Sequence, residues 1–168
     1  MVDELKDEFS NIYENYYKSI YFYINKIVND KTLAEDLTQD TFIKVLCGLK
    51  DFNEEKDLAP WIFRIAHNTC VDYCRSSRMT FELVDDVIVY DKEANSPENI
   101  ILNKEKRDVI KGILLKMSQK YKTAILLRDF NNLTYKEVAA TLVLNEMTVR
   151  TLIHRARKQF KKAYSEAY

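Results

Sequence analysis

His67, Cys70 and Cys74 follow one another at spacings of three and four, which on a helix sets an imidazole and two thiols on one face, a partial metal set. No fourth ligand stands nearby and cysteine is commonly a buried residue, so the set reads as core and no metal is assigned. Glu35, Asp36 and Asp40 form an acidic cluster with Asp36 and Asp40 one helical turn apart. Without a paired histidine they read as an exposed charged face that meets a basic partner, not as acid/base machinery. No Ser/His/Asp or Cys/His constellation is evident, so the sequence yields no catalytic residue, no cofactor and no small-molecule substrate, and the chain reads as a non-enzyme. The third group is basic: Glu146 to Lys162 holds six Lys/Arg against one Glu, a surface suited to salt-dependent phosphate contacts.

These groups must be positioned by helices. Phe9, Ile12, Tyr13, Tyr16, Tyr17, Ile20, Ile24, Ile27 and Val28 recur at spacings of three and four and predict a long amphipathic helix with an aromatic stripe. Thr32 and Glu35 fit a capping box that starts a second helix, with Leu33, Leu37, Phe42, Val45 and Leu46 in its apolar set, to about Leu49. Asp51 to Pro60 breaks the pattern, and a third helix runs from Trp61 to Arg75. Residues 76 to 97 lose the period and read as a linker, although Phe81 to Tyr90 is apolar enough for a short strand or a docking segment. Ser96 then caps a helix over Asn99 to Met117, with Ile100, Ile101, Val109, Ile110, Ile113 and Leu114 facing inward.

A helix around Lys120 to Phe130 follows. Thr134 and Glu137 form a second capping box for a short helix, Tyr135 to Leu142. After a break at Val143 and Leu144, Asn145 caps a final helix from Glu146 to about Lys162. Short helix, tight turn and long helix are the arrangement of a helix-turn-helix. On the last helix Val149, Ile153, Ala156, Phe160 and Ala163 share the packing face, while Arg150, Thr151, His154, Arg155, Arg157, Lys158, Lys161 and Lys162 occupy the rest. Thr148, Arg150 and Thr151 lie at the N-terminal end, which enters the major groove first.

Composition agrees with an all-helical chain. Two glycines leave no material for a dinucleotide-binding fingerprint, a P-loop or the turns of an all-β fold. The longest uncharged stretches, such as Ser19 to Asn25, fall far short of the roughly 18 apolar residues that span a bilayer. The chain opens with Asp3, Glu4, Asp7 and Glu8 where a secretory signal carries positive charge, and its three cysteines are odd in number, so a reducing cytoplasm is expected. The zero net charge conceals a division. Residues 1–75 carry 9 Lys+Arg against 14 Asp+Glu, residues 76–97 carry 2 against 5, and residues 98–168 carry 15 against 7, balances of -5, -3 and +8. An acidic front module and a basic back module have different partners, the second nucleic acid.

The run Ala34-Glu35-Asp36-Leu37-Thr38-Gln39-Asp40-Thr41-Phe42, then Pro60-Trp61-Ile62-Phe63-Arg64-Ile65-Ala66-His67-Asn68, Asp72 and Arg75, resembles domain 2 of the extracytoplasmic-function sigma factors of the bacterial sigma-70 class, and Leu133 to Arg157 resembles their domain 4. The resemblance implies two small helical domains joined by a flexible linker: residues 1–76 as region 2, 77–97 as linker and 98–168 as region 4. It implies that Asp36, Gln39, Asp40 and Phe42 grip the clamp helices of the polymerase β′ subunit, with the β subunit also contacted. It places Trp61, Arg64, Asn68 and Arg75 on the -10 element, with Asn53 in a loop that captures a flipped base. It assigns Thr134, Thr148, Arg150, Thr151, His154, Arg155, Arg157 and Lys158 to the -35 element. An anti-sigma factor, often membrane-anchored in this family, is the further expected partner beside core RNA polymerase and promoter DNA.

Three departures from the family pattern involve four positions. Val143 stands at a turn usually held by Gly, where a β-branched residue is strained at positive φ. Asn145 and Met147 replace Pro and Gly, and Leu152 replaces a frequent Arg. Two other classes stay open on the residues: a helix-turn-helix regulator that acts without a polymerase role, and a module that sequesters another regulator and needs no affinity for DNA.

Overall fold

The computed structural model describes residues 2–53, 55–77 and 97–167, and among these every regular element is a helix. The linker proposed from sequence, including Phe81 to Tyr90 and the Ser96 cap, lies almost wholly outside the described residues, as do the side chains of Ile100 and Ile101.

Helix α1 (Val2–Val28) buries Ile12, Ile20, Tyr23, Ile24, Ile27 and Val28; of the rest of the expected stripe Phe9, Tyr16 and Tyr17 are half-buried and Tyr13 is exposed, while Tyr23 was not expected. Phe9, Tyr13 and Tyr17 pack their rings around Phe42 of α2 at centroid distances of 6.5, 4.8 and 6.1 Å. Helix α2 (Lys31–Gly48) does not start on the Thr32–Glu35 box. Asn29 takes a left-handed conformation (φ 54°) that ends α1, and the extended Asp30 beside it caps α2, accepting from the Leu33 amide at 2.9 Å. A two-residue joint leaves Asp30 as the residue at the cap. Leu46 was expected inside and is 47% exposed.

A 3-10 turn (Leu49–Asp51) and a loop lead to α3 (Leu58–Ser77), whose first turn holds Pro60. Helix α4 (Pro97–Lys116) buries Ile113 and Leu114. Helix α5 (Gln119–Ile125) widens into a π turn (Leu126–Phe130), where Leu126 O accepts both the Asn131 amide at 3.0 Å and the Asn131 side chain at 2.7 Å. Helices α6 (Tyr135–Leu142) and α7 (Glu146–Glu166) follow. The Thr134–Glu137 capping box is formed in full, and Asn145 caps α7 by accepting from the Thr148 amide at 2.7 Å.

Helices α1 to α3 form one bundle and α4 to α7 another, and the two share a continuous apolar core. Helix α3 packs on α6, α1 packs on α5, and Phe22 stacks on Phe130 at 5.9 Å.

Candidate nucleic-acid and protein interfaces

The α2 surface is built by helical spacing. Asp36, Gln39 and Asp40 all face solvent on adjacent turns. Phe42 does not: it is 2% exposed within the α1 aromatic cluster, so it braces this face from below and is corrected from a surface contact to a support. The face continues through Ile43, 60% exposed, Leu46 and Cys47. The apolar extension was missed from sequence. Its signal is that Ile43 lies seven residues, two turns, beyond Asp36.

On α3 and the loop before it, Asn53 is exposed and its side-chain oxygen accepts from the Glu55 amide at 2.9 Å. Trp61 is half-buried, its ring tilted against Phe52 at a centroid distance of 4.6 Å, and it passes so close to Gly48 that a Cβ there would sit 3.1 Å from it. Asn68 and Arg75 are exposed. Arg64 is engaged: its Nε and Nη2 donate to the Ala140 carbonyl of α6 at 3.1 and 2.7 Å.

The histidine and cysteines of α3 line a cavity of about 190 Å³ with Ile27, Val71 and Gln119. His67 Nδ1 lies 3.0 Å from the Tyr23 hydroxyl, and burial lowers the pKa of the imidazole. Burial pushes the Cys70 thiol up to about 12, with the neighbouring Cys74 adding to the rise. Among the described residues no group of three or more His, Cys, Asp or Glu is placed to hold a metal ion.

On the helix-turn-helix, Thr134, Thr148, Thr151, His154, Arg155 and Lys158 are exposed. Two arginines assigned to the same surface are held by neighbours. Arg150 pairs with Glu146 at 2.6 Å and lies 4.6 Å over the Tyr135 ring. Arg157 donates to both oxygens of Asp129, hydrogen bonds that, with the carboxylate's charge second, raise the guanidinium pKa, and it also reaches the Tyr135 hydroxyl at 3.4 Å. Leu152, 9% exposed, packs inward. Sequence reading missed Lys120 and Tyr121 of α5, which line a groove of about 370 Å³ with Met147, Thr148, Thr151, Leu152 and Arg155. They come from another helix, so no periodicity connects them to α7.

The family model of Sigma-70 region 2 matches residues 12–80, and that of Sigma-70 region 4 matches residues 107–160. The RNA polymerase sigma factor YlaC of Bacillus subtilis is 31% identical over 159 residues, covering 94% of this chain and 92% of that one. The ECF RNA polymerase sigma factor SigM of the same organism is 28% identical over 156 residues, covering 92% and 93%. Among solved structures, the Bartonella quintana sigma factor RpoE in complex with the anti-sigma factor NepR matches with a TM-score of 0.76 at 19% identity, covering 94% of this chain and 97% of that one. CnrH in complex with the cytosolic domain of CnrY matches with a TM-score of 0.71 at 20% identity, covering 96% and 90%.

Proposed function

Because the chain belongs to the extracytoplasmic-function sigma factors of the sigma-70 family, we propose a division of labour between its two helical modules. The chain is an alternative sigma factor that binds core RNA polymerase and directs promoter recognition and transcription initiation. The observation that carries this is the presence of both regions, in order, in relatives aligned over nearly their whole length. A regulator without a polymerase role would need only the second module.

In our reading residues 1–76 form region 2, 77–97 the linker and 98–168 region 4. Asp36, Gln39 and Asp40 meet the β′ clamp helices, with Phe42 beneath and Ile43 and Leu46 extending the contact; opposite charge steers the encounter and apolar area holds it. Asn53, Trp61, Asn68 and Arg75 face the -10 element, which Arg64 joins only by leaving the Ala140 carbonyl; an extruded base there needs a loop pocket beside an aromatic and an amide. Thr134, Thr148, Thr151, His154, Arg155 and Lys158 face the -35 element, with Arg150 and Arg157 reaching phosphates only by leaving Glu146 and Asp129. Tethering two weak DNA modules on one chain makes the second contact effectively intramolecular. The polymerase supplies the chemistry and this chain none. No described helix is long and apolar enough to cross a membrane; the site of action in this reading is the cytoplasm, where a polymerase subunit works. An anti-sigma factor, membrane-anchored or not, completes the partner set, a reading supported by what the matched RpoE is bound to.

The double substitution Asp36→Lys with Asp40→Lys tests the polymerase face. Both side chains are exposed, so the variant is expected to keep its helical circular dichroism and lose core polymerase in a pull-down. Unchanged capture of the core refutes the assignment.

A further inference from the structure

The leading surface of the helix-turn-helix is apolar where a guanine-reading site would carry an arginine. Met147, in the first turn of α7, is 81% exposed, and Val143 and Leu144 of the preceding turn are 75% and 42% exposed. Three of the six large exposed hydrophobics among the described residues therefore cluster at this tip. Several of the groups that could hydrogen-bond to base edges are occupied. Arg150 is folded back on Glu146 and Tyr135, and Leu152 is in the core. Asn145 Oδ1 accepts the Thr148 amide, so this side chain cannot offer both its oxygen and its nitrogen to adenine. The Thr151 hydroxyl donates to the Met147 carbonyl at 3.1 Å.

Positive charge flanks the tip without filling it: Lys120 and Arg155 line the same groove as Met147, Thr148 and Thr151, and Lys158 lies one turn beyond. This distribution suits a duplex, with cations on phosphates and an apolar edge inserted between them. In the major groove the one apolar group that a base presents is the C5-methyl of thymine. A thioether on an unbranched, flexible stem is suited to packing on it.

Resting on the assignment of α7 to the -35 element, we propose that the first turn of α7 reads that element through thymine methyl groups, with Met147 as the specificity-determining side chain. Thr148 and His154 are the remaining polar readers, and Arg155, Lys158 and Lys120 fix the register through phosphates.

The experiment uses holoenzyme assembled from core polymerase and the full chain. A duplex is selected from a random-sequence pool, and each thymidine of its upstream element is then replaced in turn by deoxyuridine, which removes only the methyl. At one or two positions the replacement weakens binding by about fourfold, the worth of one buried methyl. Met147→Ala, at a position too exposed to endanger the fold, binds the two duplexes equally. Arg155→Ala weakens both and keeps their ratio. The proposal is overturned if no deoxyuridine replacement matters, or if Met147→Ala retains the full discrimination. If holoenzyme selects no upstream element at all, the -35 assignment itself fails, a result distinct from a selected element that is indifferent to methyl groups.

Discussion

Lys26 sits where the two modules meet, 7% exposed, with its ammonium 5.3 Å over the Phe22 ring and the charge of Lys111 nearby. Burial first, and Lys111 second, lower its pKa to about 8. The unfolded chain holds this proton more tightly than the folded one, so between about pH 8 and 10.5 unfolding takes up a proton and stability rises with pH. Below about pH 8 the penalty is complete, on the order of 3 kcal/mol. Lys26→Met is therefore expected to raise stability at pH 7 by about 1–3 kcal/mol in a urea titration, and to flatten the rise above pH 8. A less stable variant contradicts this account of the site. At this scale the sequence was legible where partners are close along the chain, as with Asp36 and Asp40 one turn apart. It was not legible where they are distant: Tyr23 meets His67 across 44 positions and Arg64 meets Ala140 across 76, pairings that no local spacing encodes.

Among the elements, the turn between α6 and α7 carries the clearest local conflict. Val143 adopts φ 55° and ψ 48°, the left-handed geometry usual for glycine, so the turn keeps its shape and the residue bears the strain. Its side chain is 75% exposed and contributes little packing. Val143→Gly is thus expected to stabilise the protein by about 1 kcal/mol, after the entropy that glycine adds to the unfolded chain, raising Tm by a few degrees. A fall in Tm contradicts the left-handed assignment. Helix starts were legible where one residue alone fits the cap, as at Thr134 and Asn145. They were misread at α2, where Thr32–Glu35 matches the motif but Asp30 stands at the joint. The π turn at Leu126–Phe130 leaves no trace in the hydrophobic pattern because residues 122–127 are buried without a break, so there is no one-sided period for the extra residue to shift.

For the whole molecule, the two modules that sequence charge separates are packed together through α3 and α6. The Arg64 guanidinium lies on the Ala140 carbonyl, and Thr141 of α6 is buried with its hydroxyl 3.5 Å from the Pro60 carbonyl. A compact chain of this length has a radius of gyration of about 15 Å. The -10 and -35 elements lie about 25 base pairs apart, about 85 Å at roughly 3.4 Å per base pair. If α3 takes the -10 element and α7 the -35 element, as proposed, one packed body cannot span that distance and the modules part before both elements are engaged. Energy transfer between a donor on an introduced cysteine at the exposed position of Lys18, with Cys47 changed to Ser, and an acceptor on α7 is expected to be lower in the promoter-bound holoenzyme than in the free protein; equal transfer in the two would mean that the modules stay together. The separation of charge made two modules legible, but their mutual packing was not, since it rests on apolar faces that each helix could have offered to other neighbours. The central claim is tested most directly by in vitro transcription on fragmented genomic DNA of the source organism, with purified core RNA polymerase in the presence and absence of the protein. The account predicts defined start sites that appear only when the protein is added and share two upstream elements. Transcription that the protein leaves unaltered, together with retained binding to duplex DNA, would contradict it.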